Sequence, residues 1–104
     1  MILNDFSDIF QSKLRLMIIS ALITGQKTFK EIKEITGATD GNISVQITNL
    51  EKAGYIIVSK TYNGRKPQTI LSITEEGKKA FIEYVNMLNT LINSALHPSN
   101  ENKD

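Results

Sequence analysis

The sequence predicts a single α+β domain that is mostly helical. Apolar residues recur at helical spacing near both ends of the chain, and two shorter helical patterns follow the first. An Asn-Gly pair then joins two runs rich in β-branched and aromatic residues, which is typical of a β-hairpin. A chain of 104 residues can bury one hydrophobic core, with little room for a second, ligand-binding domain.

The first helical segment carries two apolar stripes on nearly opposite sides. We expect one stripe to face the core, namely Phe6, Phe10, Leu14, Met17 and Ala21. The second stripe contains Leu16, Ile19 and Ile23. Ser12 could cap a helix that begins at Lys13, so the segment is either one helix or a short helix followed by a longer one.

Two further helices follow in the order of a helix-turn-helix. Thr28-Phe29-Lys30-Glu31 has the form of a capping box, and Gly37 can end a helix of about eight residues whose buried side is Phe29, Ile32 and Ile35. Thr39 or Asp40 can cap a third helix that runs to about Ala53, with Ile43, Ile47 and Leu50 inward. A short glycine-containing join between two helices indicates a helix-turn-helix, and any helical hairpin is the alternative.

The remaining segments predict a two-stranded hairpin and a long C-terminal helix. The strands are residues 55–62 and 68–73, and they are joined by a turn at Asn63-Gly64 followed by Arg65-Lys66-Pro67, so the tip is short and basic. Thr74 can cap the last helix, which runs to about Leu96. Its apolar band is Ala80, Phe81, Tyr84, Val85, Leu88, Leu91, Ile92 and Ala95. Residues 1–96 therefore form the domain, and residues 97–104 are expected to be a disordered tail.

Composition argues against an enzyme. The absence of cysteine excludes a thiol nucleophile, a cysteine-ligated zinc site and a disulfide framework. The single histidine, His97, lies in the predicted tail, which leaves no histidine-centred triad and no multi-histidine metal site. Glu75 and Glu76 are explained as first-turn acids that complement the helix dipole. We therefore expect no catalytic residue, no cofactor and no metal.

Charge is more informative in its distribution than in its sum. The net charge is +1, yet residues 52–66 hold four cations and no acid. The longest apolar run, residues 14–23, contains Arg15 and is about half the ~20 residues that cross a bilayer. The N-terminus has no basic segment leading into an apolar core, so we expect a cytoplasmic protein without membrane contact.

Three stretches of the sequence together carry a resemblance to a known family. They are residues 37–44, residues 50–56, and Arg65-Lys66-Pro67-Gln68-Thr69 leading to Ile73-Thr74-Glu75-Glu76-Gly77. Over about residues 14–81 the chain resembles the small winged helix-turn-helix transcriptional regulators related to the MarR and ArsR groups. The resemblance implies a homodimer that binds a pseudo-palindromic operator, with the third helix in the major groove and the hairpin, or wing, beside it.

Two departures from these groups limit what the resemblance implies. Histidine is frequent in this group at the position of Gln46, so no role of that imidazole transfers to this chain. A hydrogen bond from Gln46 to another helix is a better interpretation than base reading. The absence of cysteine also removes the thiolate metal sites of some ArsR-type repressors.

The third helix and the wing carry the predicted DNA surface. With Ile43, Ile47 and Leu50 inward, short polar side chains face outward and can read base edges, while the wing cations can reach phosphates. The predicted DNA-binding residues are Gly41, Asn42, Ser44, Val45, Thr48, Asn49, Lys52, Lys60, Arg65 and Lys66. An ordinary solvated helix face is the alternative. Gly41 either permits close approach of DNA to the backbone or serves helix packing.

The apolar surplus predicts a homodimer. The residues that exceed the needs of one core are Leu16, Ile19, Ile23, Leu88, Leu91, Ile92 and Ala95. The leading hypothesis is a sequence-specific regulator that binds double-stranded DNA and represses by occlusion. The alternative is a winged-helix protein-interaction module without DNA readout. No sensor domain is evident, so either an effector binds at the dimer interface or the regulator responds only to its own concentration.

Overall fold

A computed structural model describes residues 12–97 of the chain. Its elements are α1 (Lys13–Ile23), β1 (Lys27–Thr28), α2 (Phe29–Thr36), α3 (Asp40–Lys52), β2 (Ile56–Asn63), β3 (Lys66–Ile73) and α4 (Glu75–Leu96). The mostly helical winged-helix class is confirmed. Phe6, Phe10 and the rest of residues 1–11 lie outside the described residues, as does the predicted tail beyond His97.

The helix ends lie where local capping chemistry predicts them. Ser12 is the N-cap of α1, and its side chain accepts from the Arg15 backbone N–H at 3.3 Å. Thr28 and Glu31 form the predicted capping box, with both reciprocal hydrogen bonds present. Thr39 caps α3 and Thr74 caps α4. A helix therefore begins at Lys13, as the Ser12 cap suggested.

The sheet has three antiparallel strands in the order β1-β3-β2, not the two strands predicted. β2 and β3 pair from Ile56↔Ile73 to Asn63↔Lys66. β1 adds only two residues, Lys27 and Thr28, opposite Leu71 and Ile70. A two-residue strand carries no alternation to recognise, and its pairing depends on where α1 brings the chain relative to β3.

The wing tip is shifted by one residue from its predicted position. Asn63 pairs with Lys66, so Gly64 and Arg65 are the central residues of the turn. Gly64 has φ of +66°, whereas no residue other than glycine has a positive φ in the described part of the chain. Glycine in the first central position matches a type II′ turn, and this places Arg65 at the tip of the wing.

The core is built around α1. Its contributors are Ile18, Ile19, Leu22, Ile32, Ile43, Ile47, Leu50, Ile56 and Leu71. Helix α1 contacts α2, α3, α4 and β3, and so is covered on more than one side by its own chain.

Burial corrects three expectations from periodicity. Leu14, Met17 and Ala21 are only half-buried, and Ile18 and Leu22 form the buried side of α1 instead. Ile19 is 0% exposed, which corrects its assignment to a dimer interface, because its side chain is already enclosed by the core. Ile35 on α2 is 49% exposed and not buried.

The start of α4 is seated tightly against the junction between α3 and β2. The Thr74 hydroxyl donates to the Gly54 carbonyl at 2.8 Å, and the Thr74 backbone N–H donates to the Tyr55 carbonyl at 3.0 Å. A Cβ on Gly77 would lie 2.3 Å from the Tyr55 carbonyl oxygen. This contact leaves room only for glycine, and it fixes where α4 leaves the core.

We predict that Gly77→Ala lowers the free energy of unfolding by about 1–3 kcal/mol, because the added methyl overpacks against backbone. Gly41→Ala is the matched control, since a Cβ there meets nothing within 4 Å and alanine favours the helix by up to about 1 kcal/mol. Urea denaturation measures both values. A Gly77→Ala variant as stable as the parent would show that α4 is not packed closely against the Tyr55 carbonyl.

Candidate nucleic-acid interface

Helix α3 presents a polar face to solvent, as its periodicity predicted. Ile43 and Leu50 are fully buried and Ile47 is nearly so. On the other side, Val45 is 56% exposed. We call this side the reading face, and its residues are Gly41, Asn42, Ser44, Val45, Thr48, Asn49 and Lys52. All of them are exposed except Asn49, which is half-buried.

The middle of the reading face forms a shallow depression of about 260 Å³. It is lined by Ser44, Val45, Thr48 and Asn49. Two hydroxyls, one amide and one branched apolar side chain can donate to base edges, accept from them and contact a thymine methyl. The chemistry of this depression fits the floor of a major groove.

Gly41 has no packing role within residues 12–97. It is exposed near the start of α3, and a Cβ there would meet no atom within 4 Å. Of the two explanations that the sequence left open, packing against another part of the described chain is therefore excluded. The second explanation, close approach of a DNA strand to the helix backbone, stays a proposal.

A larger cleft of about 520 Å³ lies between the wing and the start of α2 and α3. We call it the lysine cleft, and it is lined by Thr28, Phe29, Lys30, Lys33, Asp40, Asn63, Lys66, Pro67, Gln68 and Thr69. Lys33 Nζ lies 2.8 Å from Asp40 Oδ1, so the one acid in the cleft is paired. The cleft therefore offers an excess of cationic donors to an anionic chain.

Sequence reasoning missed Lys30 and Lys33. Both lie on α2, which periodicity presented only as a packing helix. Each follows directly after a residue of the predicted buried side, Phe29 or Ile32, and this spacing was a weak signal that they face solvent. Their proximity to the wing depends on how α2 packs beside β3, and this is a tertiary property.

The wing cations do not all lie together. All three wing cations are exposed, namely Lys60, Arg65 and Lys66. In the register of β2 and β3, Lys60 lies opposite Thr69 and Lys66 lies opposite Asn63. Strand alternation therefore places Lys60 and Lys66 on opposite faces of the hairpin. Lys66 lines the lysine cleft and Lys60 does not.

Gln46 forms the bridging hydrogen bond that the sequence favoured. Arg15 Nε on α1 donates to Gln46 Oε1 on α3, and both side chains are half-buried. This bond ties the helix that carries the reading face to the helix at the centre of the core.

Within residues 12–97, nothing covers the apolar side of the second half of α4. Leu91 and Ile92 are each 51% exposed, and residues 84–96 include no charged side chain. Leu88, Ala95 and Ile23 are also exposed, whereas Leu16 is half-buried and packs against the core. Of the seven predicted interface residues, only Ile19 is fully buried within the single chain.

Residues 12–97 contain neither a membrane-spanning helix nor a cluster of metal-ligating side chains. Across residues 12–97, no helix combines the length and apolar character needed to span a membrane. The same residues contain no group of three or more histidine, cysteine, aspartate or glutamate side chains placed to hold a metal ion.

Comparison with known proteins gives one family and several relatives. The family model of the winged helix DNA-binding domain matches residues 14–92. An uncharacterised protein of Methanocaldococcus jannaschii is 34% identical over 79 residues, which cover 74% of this chain and 85% of that protein.

Solved structures show the same fold. A transcriptional regulator homologue from Pyrococcus horikoshii OT3 superposes with a TM-score of 0.82 at 26% identity, covering 89% of this chain and 95% of that one. A MarR-family regulator from Enterococcus faecalis V583 gives 0.77 at 19% identity, covering 90% and 86%. Bacillus subtilis PadR in complex with operator DNA gives 0.65 at 18% identity, covering 81% and 61%.

Proposed function

The chain belongs to the family of winged helix DNA-binding domains, and from this premise we propose that it is a sequence-specific regulator. In this proposal a homodimer binds a pseudo-palindromic operator in double-stranded DNA and represses transcription by occluding the site. The observation that carries the proposal is the exposed polar reading face of α3 beside a lysine-lined cleft.

The reading face supplies the base contacts. Asn42 and Asn49 can each bond an adenine through its N6 and N7 positions, which is the common asparagine contact in the major groove. Ser44 and Thr48 can bond several bases, and Val45 can contact a thymine methyl. These side chains distinguish bases by hydrogen bonding and shape, so this surface supplies sequence preference.

The lysine cleft and the wing supply the phosphate contacts. Lys30 and Lys66 line opposite sides of the cleft, and Arg65 stands at the tip of the wing. A phosphate strand that leaves the major groove beside α3 would pass through this cleft. Arg65 would then lie where a narrow minor groove concentrates negative potential.

The uncovered half of α4 supplies the dimer interface. The apolar side that Phe81 and Tyr84 pack against the core continues through Leu88 and Ile92, where the described chain offers nothing to cover it. An uncharged, half-exposed apolar helix is unfavourable in water, and a second copy would cover it. Leu16 and Ile23 of α1, with Leu91 and Ala95, would complete the surface.

The PadR structure holds operator DNA, which supports DNA as the partner for a chain with this fold. The same fold without DNA readout would be a protein-interaction module. Selection of bound duplexes from a random pool separates the two functions. A symmetric enriched motif supports the regulator, and an unenriched pool contradicts it.

We predict that Asn42→Ala and Asn49→Ala weaken operator binding while leaving stability nearly unchanged. Loss of a bidentate base contact costs roughly 1–3 kcal/mol, whereas surface changes alter stability by about 0.5 kcal/mol or less. Anisotropy titrations with operator and scrambled duplexes measure binding, and urea denaturation measures stability. Ile47→Ala is the contrasting variant, with an expected loss of about 2–5 kcal/mol in stability. Full operator selectivity in both asparagine variants would remove α3 as the reading helix.

The salt dependence of binding tests the lysine cleft. We predict that Lys30→Gln with Lys66→Gln weakens binding to all duplexes equally, and that each lost phosphate contact lowers the slope of log K against log salt by about 0.9. Lys79→Gln, on α4 and away from the cleft lining, removes the same charge and is expected to leave the slope unchanged. Equal slopes for the cleft variant and the parent would place the phosphate strand elsewhere.

The dimer is tested by two single lysine substitutions on α4. We predict that Ile92→Lys makes the chain monomeric in sedimentation at tens of micromolar, because a charge enters the apolar side. Thr90→Lys, half a turn away on the polar side, is expected to remain dimeric. A parent chain that sediments as a monomer at this concentration would exclude the proposed interface.

A further inference from the structure

We propose that Gln46 is a positioning residue whose hydrogen bond with Arg15 fixes the rotation of α3 about its own axis. This rotation sets where Asn42 and Asn49 meet the base edges. The inference rests on the proposed function, because it assigns Gln46 and Arg15 a role in operator selectivity.

The Arg15–Gln46 bond joins two elements that are far apart in sequence. The residues are separated by 31 positions, and the bond runs from α1 to the middle of α3. Helix α1 is held by the fully buried side chains of Ile18, Ile19 and Leu22. Arg15 therefore lies on a fixed support, and α3 takes its orientation from it.

Gln46 lies on the boundary between the buried side of α3 and the reading face. Asn42 is four residues before it, Asn49 is three residues after it, and buried Leu50 is four residues after it. Residues three or four apart are neighbours on a helix surface, so Gln46 adjoins both asparagines. A constraint on Gln46 is consequently a constraint on the two asparagines.

The apolar contacts of α3 cannot supply this constraint alone. Burial of Ile43, Ile47 and Leu50 is non-directional and tolerates small rotations of the helix. A rotation of about 20° moves atoms at the helix surface by about 2 Å, since they lie about 5–6 Å from the axis. A hydrogen bond to a base tolerates only a few tenths of an ångström, so a directional bond at Gln46 matters for readout.

Another side-chain contact to α3 from the described residues, an ion pair, is weaker. The Lys33–Asp40 ion pair lies at the start of α3, where both side chains are more than half exposed. An exposed ion pair contributes little and weakens as salt rises. The half-buried hydrogen bond between Arg15 and the Gln46 side-chain amide is the better determinant of helix rotation.

The experiment compares Gln46→Leu, Arg15→Met, their double variant and Gln46→Glu. Leucine keeps much of the glutamine volume without an acceptor, methionine keeps the arginine stem without a donor, and glutamate retains the acceptor. The readouts are the ratio of operator to scrambled-duplex affinity, the salt slope and the urea midpoint. The operator is the duplex enriched from the random pool.

We expect Gln46→Leu and Arg15→Met each to lower the affinity ratio by at least about fivefold, since misplaced asparagines lose their base contacts. The double variant should lose less than the sum of the two single variants, because both remove the Arg15–Gln46 bond. Gln46→Glu should keep the ratio within about twofold. The salt slope should stay unchanged in all four variants, because phosphate contacts are not removed.

Three results would overturn the inference. If Arg15→Met keeps the ratio and Gln46→Leu loses it, Gln46 reads a base directly. If both variants lower the urea midpoint and keep the ratio, the bond serves stability alone. If all variants keep the parent's ratio and midpoint, the bond has no role. A parent chain without any operator preference would instead contradict the proposed function itself.

Discussion

The burial of α1 on several sides is the constraint on which the rest of the structure depends. Ile18, Ile19 and Leu22 are fully enclosed, and α1 contacts the other three described helices together with β3. Each such side chain contributes roughly 1.5–3 kcal/mol through removal of apolar surface from water. The reading helix, the wing and α4 are therefore packed onto one support.

This shared support explains why the proposed DNA surface is continuous. Helix α3 has three buried apolar positions on a narrow arc, so most of its circumference is left for polar side chains. β3 pairs with β1, which leads directly into α2, and this places Lys30 near Lys66 across the lysine cleft. The proposed base-reading groups and the proposed phosphate-binding groups thus lie on elements that pack against the same helix, although they come from separate parts of the chain.

Features determined by local chemistry were predictable from the sequence. The Thr28–Glu31 capping box, the Thr39 and Thr74 caps and the glycine at the end of α2 each act within a few residues. The buried arc of α3 was equally predictable, because a regular helix with one apolar face turns that face toward the core, although this leaves small rotations of the helix open. The Thr39 cap and the buried arc of α3 together determine which side chains lie on the reading face, so this face was predictable from the sequence.

Features determined by tertiary packing were not predictable in the same way. Helix α1 is apolar around most of its surface, so periodicity could not distinguish the side of Ile18 and Leu22 from that of Leu14 and Met17. The apolar excess that suggested a dimer interface at Ile19 reflects coverage of α1 by its own chain. The pairing of β1 and the proximity of the cleft lysines to the wing depend on long-range packing, which no local pattern indicates.

The geometry of α4 links the core to the proposed dimer. Gly77 and Thr74 fix its first turn against the α3–β2 junction, where the Gly77 backbone lies close to the Tyr55 carbonyl and the Thr74 hydroxyl donates to the Gly54 carbonyl. The helix has 22 residues and is therefore about 33 Å long, of which the first three turns complete the core.

A rigid α4 that pairs with its copy would hold two reading helices at a fixed separation. In symmetric helix-turn-helix dimers that separation determines the spacing of half-sites, about 34–36 Å for adjacent turns of DNA on one face. The close packing at Gly77 and the hydrogen bond at Gln46 would then both determine how the two reading helices are placed on the DNA. The first would set where each reading helix stands in the dimer, and the second how each is rotated toward the bases.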